Sequence, residues 1–149
     1  MRNSPEMETN HIIEIATKIM QDLGSGYSES IYQNALHRKI ARIDCTCIME
    51  KIVPVVYDGD NIGVCRADLV MDSHVIEIKA ARKMPTGVDK QVGKYSRHLL
   101  ELDGKARVGL VINFNQDTEI AETLIFPAPS LQTDEHPKRR KITPMDDSM

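Results

Sequence analysis

The run Arg66-Ala67-Asp68-Leu69-Val70-Met71-Asp72-Ser73-His74-Val75-Ile76-Glu77-Ile78-Lys79-Ala80 decides how this chain is read. Two apolar, extended stretches flank a tight Asp72-Ser73 turn, which predicts neighbouring strands over Ile62–Met71 and Val75–Ala80. Side chains alternate across a strand, so Val75, Glu77 and Lys79 share one face and Ile76, Ile78 and Ala80 share the other. In the preceding strand the same rule places Arg66 and Asp68 on a face with Val64 and Val70. Antiparallel pairing of the two strands then brings Asp68, Glu77 and Lys79 together. Two carboxylates and a lysine on a half-buried sheet are costly unless they are paired or hold a metal.

The flanking segments supply the rest of the sheet. Ile52–Tyr57 is Val-rich and carries Pro54, which suits an edge strand, and Asp58-Gly59-Asp60-Asn61 turns it into Ile62. Val108–Phe114 is continuously apolar, as expected of a strand covered on both faces, and Ile120–Phe126 could add another edge. Three segments have helical periodicity. Ile12, Ile15, Ala16, Ile19 and Leu23 form the stripe of a helix over 6–23, closed by Gly24-Ser25-Gly26. Ile31, Ala35, Leu36 and Ile40 mark a second over 28–43, and Val88, Val92, Tyr95, Leu99 and Leu102 a third. The expected order is α-α-β-β-β-α-β-β, a mixed α/β domain over 1–126, followed by a disordered polar and basic tail over 127–149.

Composition agrees with one soluble domain. The chain has 149 residues, 41% hydrophobic and 28% charged, enough for a single core in which aliphatic residues dominate because aromatics are only 4%. No apolar run approaches the roughly 20 residues of a membrane span, and Met1–Asn10 has no apolar signal core, so an intracellular protein, cytoplasmic or nuclear, without membrane contact is expected. Three cysteines, Cys45, Cys47 and Cys65, cannot all pair, and Cys45-x-Cys47 alone is too little for a four-ligand zinc site. A net charge of −3 argues against coating nucleic acid by bulk charge, so local basic surfaces matter more.

Asp68 and Glu77 suit Mg²⁺, which takes hard oxygen ligands from one or two carboxylates and keeps positions for water and phosphate. The Ile78 carbonyl is a candidate third oxygen, and Lys79 a candidate to stabilise phosphoryl charge or position water. An ordinary Glu–Lys pair on a solvated sheet face is the competing reading, and spacing alone favours it. Other residues shift the balance. Glu29 lies in the first turn of the second helix, where it also complements the helix dipole, with Tyr32 three residues on. Gln91 and Tyr95 are four apart on one helical face. Lys79–Arg97 is basic: Arg82, Lys83, Lys90, Lys94 and Arg97 suit a phosphate backbone, as Arg66 does from the neighbouring strand, or simply a solvated surface. There is no Gly-x-x-x-x-Gly-Lys-Ser/Thr phosphate loop and no Gly-x-Ser-x-Gly, and the five histidines are scattered.

Taken together these residues resemble a known family. Gly26-Tyr27-Ser28-Glu29-Ser30-Ile31-Tyr32 resembles the Gly-x-x-Glu-x-x-Tyr motif of the GxxExxY proteins. Arg66-Ala67-Asp68-Leu69, Glu77-Ile78-Lys79-Ala80, Gln91-x-x-x-Tyr95 and Gly109–Phe114 resemble its later motifs in the same order, from about Glu8 to Phe126. That family belongs to the PD-(D/E)XK nuclease-like superfamily. The resemblance implies a restriction-endonuclease-like core and a metal-dependent phosphodiesterase acting mainly on DNA, with RNA left open. It implies Mg²⁺ or Mn²⁺ at Asp68 and Glu77, with Glu29 completing the acidic site directly or through water. Lys79 would serve water and phosphate, and Gln91 and Tyr95 would hold substrate or orient the lysine. The RecB-type relatives carry four cysteines for an iron–sulfur cluster; three at this spacing lead us to expect none here.

The expected role lies in DNA repair, recombination or replication, as a homodimer or within a larger repair complex. The rival readings are a catalytically weak nucleic-acid-binding or repair accessory protein, and a resolvase-like dimer on branched DNA. Pro137-Lys138-Arg139-Arg140-Lys141 reads equally as a nuclear-import signal, a DNA tether or a soluble tail.

Overall fold

The structure, a computed structural model, describes residues 5–130. The basic run over 137–141 and most of the expected tail lie outside the described residues. Among these, three helices and five strands follow in the expected order: α1 (Pro5–Leu23), α2 (Glu29–Ala41), β1 (Ile48–Tyr57), β2 (Asp60–Val70), β3 (His74–Lys79), α3 (Val88–Asp103), β4 (Val108–Phe114) and β5 (Ala121–Phe126). No described helix is long and apolar enough to cross a membrane.

One sheet takes all five strands in sequence order, β1 to β5. β1, β2 and β3 form an antiparallel meander, β3 and β4 are parallel, and β5 returns antiparallel to β4. The parallel step is what α3 makes possible, because strands that run the same way need a crossover between them. β4 is buried along nearly its whole length, as its unbroken apolar run predicts. β1 is an edge strand, which accommodates Pro54. It begins at Ile48 rather than near Ile52, because Ile48, Met49 and Lys51 pair with β2 despite the mixed polarity of the segment.

The sheet is sandwiched. On one side Ile12, Ala16, Ile19 and Met20 of α1 and Tyr32, Leu36 and Ile40 of α2 pack on Leu69, Ile76, Ile78, Leu110, Ile112 and Phe114. On the other, Val88, Val92, Tyr95 and Leu99 of α3 cover Val53, Ala67, Val70, Val75 and Val111. Burying some twenty large side chains supplies the stability, at about 1.5–3 kcal/mol for each one fully buried before conformational entropy is set against it. Each expected stripe has one member outside the core. Leu23 is 37% exposed while Met20 is buried, Ile31 is exposed while Tyr32 is buried, and Leu102 is half-exposed in the last turn of α3.

Tyr32 explains its own displacement of Ile31. Its ring stacks on Phe114 with centroids 4.6 Å apart, and its hydroxyl donates to the Gly24 carbonyl at 2.7 Å. The α1–α2 loop is thereby tied down. Gly24 and Gly26 take φ of 71° and 106°, which favours glycine, and the Gly26 N–H donates to Gln116 Oε1 at 2.7 Å. The Ser25 N–H and hydroxyl both donate to Glu119 Oε2, at 3.0 and 2.7 Å. The start of α2 is thus clamped to the β4–β5 turn at one end of the sheet.

Candidate active site

Strand alternation breaks at Asp68, and the break creates the site. Ala67 and Val70 both pack under α3, although they are three residues apart, while Leu69 between them faces α1 and α2. Opposite Asp68 in the hairpin, between the pairs Met49↔Leu69 and Lys51↔Ala67, stands Glu50 with φ of 54°. That left-handed conformation is costly for a residue with a Cβ and lets the chain change faces. The shared face expected for Val64, Arg66, Asp68 and Val70 is therefore corrected. Val70 lies under α3, whereas Val64 and Arg66 alternate with cleft-lining Cys65 and point the other way.

β2 and β3 pair only at Leu69↔Ile76 and Val70↔Val75. Beyond that the strands diverge, and the Asp68 side chain fills the gap: Oδ2 accepts the Ile78 N–H at 2.8 Å. The N–H and carbonyl of one strand residue lie on the same edge, so the Ile78 carbonyl faces this gap too. Glu77 lies on the α3 side of β3, opposite Val111, and is only 4% exposed. Its Oε2 sits 3.7 Å from Lys79 Nζ, and its carboxyl lies within hydrogen-bond reach of the Asp68 carboxyl.

An acidic pair packed this closely cannot ionise freely. Burial pushes the Glu77 carboxyl up to about 8, the Asp68 charge adds to the rise, and Lys79 pulls back only part of it. Asp68 is also raised, mainly by burial, with the Ile78 N–H, Lys79 and a hydrogen bond from the Glu77 carboxyl opposing and the charge of Glu29 adding. Glu29 itself is exposed in the first turn of α2, near enough for its charge to act on Asp68. Among the described residues no three His, Cys, Asp or Glu side chains form a metal-binding group. The structure brings together a carboxylate pair, a strand carbonyl and a lysine, with Glu29 outside direct convergence.

A cleft of about 590 Å³, lined by Lys79 but by neither carboxylate, lies between Val55 and Cys65 of the hairpin and the face of α3 bearing Lys90, Gln91, Lys94, Tyr95 and His98. Gln91 Nε2 donates to the Tyr95 hydroxyl at 2.9 Å. Burial, and then the Glu77 charge, raise the Tyr95 phenol above its ordinary value. Lys90 and Lys94 reach the cleft, while Arg97, one helical step round, is exposed outside its lining. Arg82 lies 3.9 Å from Asp117, Lys83 is exposed in the β3–α3 loop, and Arg66 pairs with Glu50 at 3.5 Å on the far side of the hairpin. These three are not brought to the cleft wall.

Sequence reasoning missed several residues that shape the site. Asn113, paired with Lys79 across the β3–β4 ladder, is fully buried; its Oδ1 accepts the Ala81 N–H at 2.8 Å and its Nδ2 donates to Glu122 at 3.0 Å. It fixes the chain where it leaves Lys79, and the one signal for it was a polar residue inside an otherwise apolar run. Gln33 Nε2 donates to Glu50 Oε2 at 3.2 Å and so braces the kink from α2. His98 could have been found from its spacing, four residues past Lys94 on the cleft side of α3.

A three-layer α/β sandwich with an acidic pair and a lysine at the splayed end of its central strands defines a class of nucleases. Residues 6–123 match the PD-(D/E)XK nuclease superfamily, and the chain belongs to that superfamily. No curated protein and no solved structure matches it.

Proposed function

We propose that the chain is a Mg²⁺-dependent nuclease, with Mn²⁺ substituting, that hydrolyses DNA phosphodiester bonds, and that it is a GxxExxY-type member of its superfamily. The observation that carries this reading is the Glu77 carboxylate. It is 4% exposed, raised to about 8 by burial and the Asp68 charge, and shares a hydrogen bond with the Asp68 carboxyl, itself raised, an arrangement that costs stability and gains a purpose when a cation replaces the shared proton.

The residues present fit such an ion. Asp68, Glu77 and the Ile78 carbonyl would hold it, with Glu29 acting through water. A divalent cation there supplies Lewis acidity to a water and to the scissile phosphate. Lys79, at the mouth of the pair, directs its ammonium protons at the attacking water or at a non-bridging phosphate oxygen. The Gln91–Tyr95 pair supplies a fixed donor on the opposite wall and keeps the phenol hydroxyl turned to the cleft. Lys90 and Lys94 extend positive charge from that wall along the path of a phosphate backbone.

The test is cleavage of labelled single-stranded, double-stranded and four-way-junction DNA, with RNA as a comparison, in Mg²⁺, Mn²⁺ or chelator. Metal-dependent cutting that disappears in Glu77→Ala is expected. Full activity in Glu77→Ala contradicts the site, and tight binding without cutting under any condition replaces the enzyme with a binding module.

A further inference from the structure

The cleft has two unlike walls. α3 supplies one, where Lys90, Lys94 and His98 follow at one-turn intervals along about 12 Å of helix. The β1–β2 hairpin supplies the other, with the uncharged Val55 and Cys65. Tyr57 carries this second wall on toward the hairpin tip. The ladder slips between Val55↔Gly63 and Val56↔Asn61, so the extra residue is Ile62 on β2, and β1 keeps its two-residue period. Val53, Val55 and Tyr57 therefore share the face turned to α3. Val53 is buried under the helix, Val55 lines the cleft, and Tyr57 beyond it is 70% exposed. Between Tyr57 and Cys65 on that face comes Gly63, where a Cβ would meet nothing within 4 Å. An exposed ring thus stands beside a bare stretch of sheet, on the wall that faces a row of cations.

We propose that this cleft takes single-stranded DNA, with phosphates along Lys90 and Lys94 and a base stacked on the Tyr57 ring. A single strand offers charge on one side and the flat faces of unpaired bases on the other, which matches a cationic wall facing an apolar, aromatic one. A duplex hides its base faces in the stack and carries phosphate on both strands, so the hairpin wall would meet charge with nothing to pair it. The exposed Asp58 and Asp60 at the tip, Asp60 paired with Tyr57, repel phosphate there and leave the ring to a base. A strand held this way passes Lys79, 3.7 Å from Glu77, and the Glu77 charge is felt at both Cys65 and Tyr95 of the lining. The proposal names the substrate of the cleavage centre proposed above and rests on that reading, but binding measured without metal lets either fail alone.

Fluorescence anisotropy in chelator tests it, with a labelled oligothymidine, a duplex of the same length and a strand containing an abasic stretch. The single strand should bind about tenfold more tightly than the duplex. Tyr57→Ala should weaken the single strand by roughly fivefold or more, the loss of one stacked base, while Tyr57→Phe stays within about twofold and duplex affinity is unchanged. The exposed position leaves all these variants folded by circular dichroism. The chain has no tryptophan, so Tyr57→Trp places a single indole there, and its emission should be quenched by the strand and not by the duplex. Equal affinity for strand and duplex, or full affinity of Tyr57→Ala for the strand, overturns the proposal. So does an equal loss in Tyr57→Ala on the abasic stretch, which has no base to stack. A strand bound as described but never cut in Mg²⁺ or Mn²⁺ upholds this proposal and removes the cleavage reading; metal-dependent cutting of duplex alone does the reverse.

Discussion

Asp68 Oδ2 accepts the backbone N–H of Ile78 at 2.8 Å, across the point where β2 leaves β3. One carboxylate therefore does two things: it closes the sheet's open edge and faces Glu77. The two are separable. Asp68→Asn retains a side-chain oxygen for the Ile78 N–H, so it should lose cleavage by at least 100-fold with little change in melting temperature. Asp68→Ala also leaves a part-buried N–H unsatisfied and should cost a further ~1–3 kcal/mol. Thermal melts of the two variants, beside their cleavage rates, check this.

The raised Glu77 carboxyl sets a pH dependence. Between its ordinary value and about 8 the folded state keeps a proton that the unfolded chain releases, so rising pH favours unfolding. The metal-free protein should lose stability across that window, by up to about 1.4 kcal/mol per pH unit. The loss should continue until pH passes about 8 and then level off. Glu77→Gln should flatten the slope. Metal affinity should run the opposite way and climb toward pH 8, because the ion displaces the proton. Melting temperature against pH, with and without Mg²⁺, reads both trends.

Glu50 is strained where it does its work, at φ of 54° opposite Asp68. Glu50→Gly removes the strain as it removes the Gln33 and Arg66 contacts, so its stability should stay within about 1 kcal/mol of wild type. Glu50→Ala keeps the strain without the contacts and should be less stable by ~1–2 kcal/mol. Equal stabilities in a denaturant titration would show that the kink needs neither.

Lys90 and Lys94 line the cleft while Arg97 stands outside it. Replacing both lysines by alanine should weaken DNA binding at every sequence and lower the slope of log affinity against log salt by about 2. Arg97→Ala should change it less. Affinities over a salt series distinguish the three positions.

The elements were legible where one physical signal dominated. The unbroken apolar run of β4 and the stripe Val88, Val92, Tyr95 and Leu99 gave their segments almost to the residue. Glu77 and Lys79 stood out because charges inside an apolar strand demand a reason. The kink at Glu50 and Asp68 was not legible. A glutamate announces no left-handed backbone, and a face change breaks the two-residue period on which strand reading depends. Arg66 was assigned to the wrong face for that reason, and the clamp that Tyr32 completes with Gln116, beside the Ser25–Glu119 contact, was not legible because those partners lie far along the chain.

The central claim is that Asp68 and Glu77 together hold a divalent ion, and calorimetric titration of Mn²⁺ into the metal-free protein at pH 8 tests it most directly. Wild type should bind with release of protons, and Asp68→Asn and Glu77→Gln should each lose at least tenfold in affinity while remaining folded. Wild-type affinity in both variants, or no binding by the wild type, would contradict it.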